Sequence, residues 1–135
     1  MRKMTKQNLE AAFASESQAH MRYLIFSEKA EKEGQENLQE CINGETYEGE
    51  EMYPAYNKVA ELQEESGVVR STHYALEAEK IHAVMYEKAK QAAEAGEDIE
   101  IGEVSICPVC GYTVEGEAPE FCPVYGAARD SFRRF

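Results

Sequence analysis

Between residues 5 and 95, apolar side chains recur at three- and four-residue intervals, the repeat of one face of an α-helix. Three runs follow one another. The first, residues 5–33, opens at Thr5, a good N-cap residue, and carries Leu9, Ala12, Phe13, Ala19, Tyr23, Phe26 and Ala30 on one stripe. Gly34 is predicted to stop it. The second, residues 37–65, carries Leu38, Cys41, Ile42, Met52, Tyr56, Val59 and Leu62, and is predicted to end at Ser66-Gly67. The third, residues 68–95, carries Val69, Thr72, Ala75, Leu76, Ala83, Tyr86 and Ala93, with Gly96 as its C-cap. Helices of about 40 Å joined by such short breaks predict an antiparallel bundle. After Gly96 the grammar changes to β-branched residues, turn glycines and prolines. The chain therefore divides into a helical domain, residues 1–101, and a small module, residues 102–135. The DIEI stretch at 98–101 reads as a linker or short strand.

Polar residues interrupt the helical stripes in register. Glu16 lies between Phe13 and Tyr23, Glu45 and Glu48 between Ile42 and Met52, and Glu79 and His82 between Leu76 and Tyr86. The spacing of three puts Glu79 and His82 side by side on one helix face. Buried carboxylates without partners cost many kcal/mol, so these are either solvated or compensated by a cation. Acids are common in this chain, and E-x-x-H is short enough to arise by accident. The coincidence on three helices is what points to a metal, and oxygen donors with one imidazole suit iron or manganese. His20, four residues after Glu16, is placed beside such a site; His73 is expected at the surface or as a satisfied core residue. Pro54 removes a helical hydrogen bond and crowds the carbonyl of Glu50, so it should bend or break the helix just after Glu48.

Composition narrows the partners. With 26 acidic and 14 basic residues the formal charge is −12, which disfavours nucleic acid and anionic membrane surfaces. No run of eighteen apolar residues is present to span a bilayer. The first residues, MRKMTKQNLEAAFASES, lack the apolar core of a secretory signal, so a cytoplasmic location is expected.

Three of the four cysteines cluster at 107, 110 and 122 within two similar knuckles, CPVCG and CPVYG. Clustering of this kind reads as metal ligation rather than a disulfide framework. Gly111 and Gly126 are expected in left-handed conformations that turn backbone N–H groups toward sulfur. Iron or zinc is the expected occupant. Tyr112, Phe121 and Phe132 are expected to cover the module. Position 125 is Tyr where a fourth cysteine would close the site, and a phenol is a hard, high-pKa, far-reaching replacement for a thiolate. Three outcomes are open: three cysteines with a fourth non-sulfur ligand, weak binding, or a module without metal.

FASESQAHMRY, GETYEGEEMYPAY, ALEAEKIHA, ICPVCGY and EFCPVYGA, in that order, resemble the rubrerythrin family over nearly the whole chain. The resemblance implies a mostly α fold: a ferritin-like antiparallel helical bundle holding a diiron centre, followed by a rubredoxin-like iron module. It implies a peroxidase that reduces hydrogen peroxide to water, with electrons passed through the rubredoxin-like iron from a partner such as rubredoxin or an NAD(P)H-dependent reductase. Carried over residue by residue, Glu16, Glu45, Glu48, Glu79 and His82 become iron ligands. Tyr23 and Tyr53 become tyrosines close to the diiron site, and Cys107, Cys110 and Cys122 rubredoxin-type ligands. The chain departs from the family pattern at Tyr125 and in having a single E-x-x-H, where the family carries a second one on another helix. Either that helix is deleted and another subunit completes the bundle, or the sequence lacks a stretch near Gly34-Gln35; the smooth run of ENLQ into the second helix favours the latter. A homo-oligomer is expected, with a helix-swapped dimer as one form. Iron binding or storage without peroxidase turnover, and a non-catalytic scaffold, are the alternative functions.

Overall fold

The computed structural model describes residues 1–97, 99 and 102–135, with the side chains of residue 20 and residues 24–37 outside that description. Helical backbone covers Lys3–Tyr47 (α1), a π turn at Glu48–Met52, Tyr53–Leu62 (α2) and Ser66–Ala95 (α3). A straight α1 would be about 67 Å long. Yet the Tyr23 hydroxyl donates to Glu45, and the Ser15 hydroxyl to Glu48 at 2.6 Å. The two limbs of α1 therefore lie side by side and antiparallel, and the chain reverses between Tyr23 and Glu45. The stop predicted at Gly34 is absent: helical backbone runs through that position, because one glycine inside a long run of good helix formers costs only about 1 kcal/mol. With α3 packed on both limbs, three helical strands form the bundle.

Two predicted helix ends move. Thr5 does not cap α1, which begins at Lys3 after Arg2; its N–H and hydroxyl both donate to the Gln63 side chain, tying the first limb to the end of α2. Ser66-Gly67 opens α3 instead of closing the preceding helix. The stop comes earlier because Glu64 takes a left-handed φ of 59°, with Glu64 N–H donating to the Glu61 carbonyl and Glu65 N–H to that of Ala60. This is a Schellman closure built without glycine. Gly96, at φ 70°, closes α3 in the same way, as predicted.

Pro54 neither breaks the helix nor merely bends it. It stands in the first turn of α2, directly after the π turn, where Tyr53 N–H donates to the carbonyl of Glu48. The wider register absorbs the donor that proline lacks, and π turns of this kind are frequent at functional sites. A Cβ placed on Gly49 within it would sit 3.8 Å from the Cβ of Glu79, so the π turn runs directly against α3.

Ala12, Met52 and Tyr53 form the bundle's buried cluster, flanked by Tyr56, Ala75 and Leu76. Phe13 and Leu62, expected on the core stripes, are 76% and 82% exposed. They lie on faces that three helical strands leave uncovered. His73 is at the surface, and His20 lies outside the described side chains.

The module carries strands β1 (Val104–Ile106), β2 (Thr113–Glu115) and β3 (Arg133–Arg134), antiparallel in the order β2-β1-β3. Its core holds Cys107, Cys110, Ala118, Cys122 and Phe132, with Tyr112 meeting Phe132 edge-on at 6.4 Å. Phe121, expected in this cover, is instead exposed: it pairs with Ala128 in an isolated bridge, and Tyr74 of α3 packs against the cluster from the bundle side. The predicted boundary residue, Ile101, and the neighbouring Asp98 and Glu100 lie outside the described residues. The module rests on α3, with Lys88 paired to Glu115 at 2.7 Å and a Cβ on Gly111 reaching to 3.5 Å from that of Ala78.

Candidate metal centres

The helices bring all five predicted carboxylate and imidazole residues together. Glu45 comes from the second limb of α1, Glu48 from the start of the π turn, Glu16 from the first limb, and Glu79 and His82 from α3. Glu45, Glu48 and Glu79 are buried, so the cost of placing them there needs an answer. Ligand atoms of Glu45, Glu79 and His82 lie within 4.8 Å of one another, and so do those of Glu16, Glu48 and Glu79. Two three-donor groups thus share one residue, Glu79.

Each of three carboxylates is held on one oxygen by a hydroxyl from another strand of the bundle. Tyr23 donates to Oε1 of Glu45, Tyr53 to Oε1 of Glu16, and Ser15 to Oε1 of Glu48. Hydroxyls that hold one carboxylate oxygen in this way are typical of outer groups that orient metal ligands. Among the described residues Glu45 Oε2 is buried without a hydrogen-bond partner, and 3.5 Å from it stands Nδ1 of His82. The tyrosines were implied by the family resemblance; Ser15 was not, since a serine one residue before Glu16 carries no periodic signal.

Electrostatics describe a site short of positive charge. His82 should lose its proton on burial, but the facing Glu45 and Glu79 hold it and push its pKa up to about 10. Burial and the Glu45 carboxylate push Glu79 up against the opposing pull of His82. Burial pushes Glu45 up, yet the facing His82, with Glu79 and the Tyr23 hydroxyl, brings it below the usual carboxylate range. Burial raises Glu48. So many buried acids around one imidazole suit a cation, and the Glu45 oxygen without a partner fits the same reading.

In the module, Cys107, Cys110 and Cys122 are buried with their Sγ atoms within 4.8 Å of one another, and Cys110 and Cys122 are 3.4 Å apart. Gly111 and Gly126 adopt φ 78° and 86°, as expected, with Gly111 N–H donating to the Cys107 carbonyl and Gly126 N–H to that of Cys122. The Tyr125 N–H donates to Cys122 Sγ at 3.4 Å. Burial pushes the Cys110 thiol up, while backbone N–H groups of Tyr125 and Val124 outweigh burial at Cys122 and draw it down. Three clustered thiols with N–H groups aimed at sulfur fit a soft metal.

The family model described as Rubrerythrin matches residues 7–40 and 31–90, and that of the rubrerythrin rubredoxin-like domain matches residues 106–133. The chain belongs to the rubrerythrin family. Rubrerythrin-2 of Clostridium acetobutylicum is 37% identical, with 98% of this chain and 97% of the relative covered. Nigerythrin of Nitratidesulfovibrio vulgaris is 28% identical, with 97% and 86% covered. Solved structures agree: fully reduced, all-ferrous nigerythrin superposes with a TM-score of 0.84 at 26% identity, covering 97% of this chain and 86% of that one. Mixed-valence nigerythrin gives 0.83 at 27%, with the same coverage. The fold is thus the ferritin-like bundle with a rubredoxin-like module. Membership makes the chain one of a family of iron-centre oxidoreductases with an electron-transfer module. The match to Rubrerythrin-2 runs over 178 residues against the 135 of this chain, so that rubrerythrin carries a stretch with no counterpart here. Among the described residues, no helix is long and apolar enough to cross a membrane.

Proposed function

We propose that this chain reduces hydrogen peroxide to water at a carboxylate-bridged diiron centre, with electrons passed through the cysteine module. The observation that carries this reading is the pair of three-donor groups sharing Glu79. Glu45, Glu79 and His82 would hold one iron, and Glu16, Glu48 and Glu79 the other. Bound ferrous iron would supply the electrons for O–O cleavage and the Lewis acidity that polarises peroxide oxygen. Tyr23 and Tyr53 position the carboxylates and keep protons on their phenolic oxygens, since burial, and then the carboxylates they bond, push both pKa values far upward. A cavity of about 30 Å³ lined by Ala19, Arg22, Tyr23, Glu40, Gly44 and Glu48 leaves room beside the site for a molecule of water-like size. Cys107, Cys110 and Cys122 would hold the module's iron, or zinc.

The domains divide at 101/102, and the chain works as a homo-oligomer, with a helix-swapped dimer as one form. The strongly acidic chain would meet a redox partner, rubredoxin or an NAD(P)H-dependent reductase, through that partner's basic surface, in the cytoplasm. Stopped-flow oxidation of the iron-loaded, reduced protein tests the reaction. Reoxidation by peroxide faster than by oxygen is expected. Slow reaction with peroxide and retention of ferric mineral would instead assign iron storage, and failure to bind iron a scaffold.

A further inference from the structure

Tyr125 occupies the position at which a fourth knuckle sulfur would complete the cysteine site, and its backbone still plays that part, donating to Cys122 Sγ. Its side chain goes elsewhere. The ring stands edge-on to Tyr74 of α3, centroids 5.8 Å apart at 88°, and is 49% exposed, whereas all three cysteines are buried. A phenolic oxygen lies a ring's length beyond the point reached by a cysteine sulfur on the same backbone. The ring is therefore engaged in holding the module to α3. The only other cysteine, Cys41, lies on α1 and is held in a separate surrounding with Glu45 and Tyr86.

We propose that the module binds its metal through Cys107, Cys110 and Cys122 alone and leaves one coordination position to an exchangeable ligand from solution, water in the resting state and a small thiolate where one is available. This rests on the reading of the three cysteines as metal ligands. Three buried thiolates form a soft set that leaves a tetrahedral metal one donor short. A half-exposed residue at the fourth corner gives solvent a way in, where a closed tetrathiolate would exclude it. The module then has an inner coordination position, a property that pure electron transfer does not require.

The test uses the 135-residue chain, reduced and loaded with cobalt(II), whose thiolate charge-transfer bands report the cysteine site apart from carboxylate-bound cobalt. Three proteins are compared: the native chain, Tyr125→Cys and Tyr125→Phe. The native spectrum is expected to shift toward that of Tyr125→Cys on adding ethanethiol, while Tyr125→Cys itself does not move. Tyr125→Phe is expected to match the native chain and to respond to thiol equally. A native spectrum that ethanethiol leaves unchanged overturns the proposal, and so does a Tyr125→Phe spectrum that differs before thiol is added, because the phenol would then be a ligand. Absence of any thiolate–cobalt band in the native chain overturns the cysteine-site reading itself. Should Tyr125→Cys fail to fold, the thiol response of the other two proteins still decides.

Discussion

The two candidate metal sites are assembled in opposite ways. The carboxylate site draws its donors from residues 16 to 82, on three helical strands, so it is complete only once the bundle has folded. The cysteine site draws on residues 107 to 122, in two knuckles whose geometry comes from local turns at Gly111 and Gly126. The first is preorganised by side-chain hydroxyls reaching across helices, the second by its own backbone N–H groups. By the resemblance its motifs carry, the module would be short of one side chain, at Tyr125, and the bundle of a second E-x-x-H segment. A local site is repairable by one substitution; a distributed site needs an element or a partner.

Substitutions that separate the two sites sharpen this comparison most. Glu79→Ala removes the shared donor, so metal at the helical site should fall close to zero while the thiolate–metal absorption of the module persists. Parallel measurement of metal content and visible spectrum checks this; loss of both signals would show the sites to be interdependent. Cys107→Ser should do the converse, weakening module binding by roughly 100-fold or more with helical circular dichroism unchanged.

Legibility in the sequence follows the same division. The carboxylate residues stood out because acids on an apolar stripe contradict helical patterning, and the knuckles because their signal is entirely local. Phe13 and Leu62 misled, since periodicity identifies a face as apolar but not whether the chain supplies anything to cover it. The early stop at Leu62 was hidden because Glu64 adopts a conformation for which glycine is the usual marker. The π turn was half legible: Pro54 announced a disturbance, but not the register that resolves it. Ser15 became visible only when Glu48 was brought beside it in space.

Smaller effects probe the hydroxyl supports. Tyr53→Phe leaves Glu16 without its donor and should lower metal affinity of the helical site roughly 10-fold, read by competition with a chelator. Ser15→Ala removes the bond to Glu48, costing about 1–2 kcal/mol of binding at most, with no change at the module. The smallest expected effect lies outside both sites. Glu64→Gly relieves a left-handed residue and should stabilise the bundle by about 1 kcal/mol, seen as a Tm a few degrees higher with metal content unaltered.

The sharing of Glu79 between two metal positions is the centre of this account, and X-ray absorption of the Cys107→Ser protein, loaded with iron at a level its weakened module does not retain, tests it most directly. An iron–iron vector of about 3.5–4 Å, lost in the added Glu79→Ala substitution, is the predicted result. A single iron per chain with oxygen and nitrogen neighbours and no iron–iron vector would contradict it.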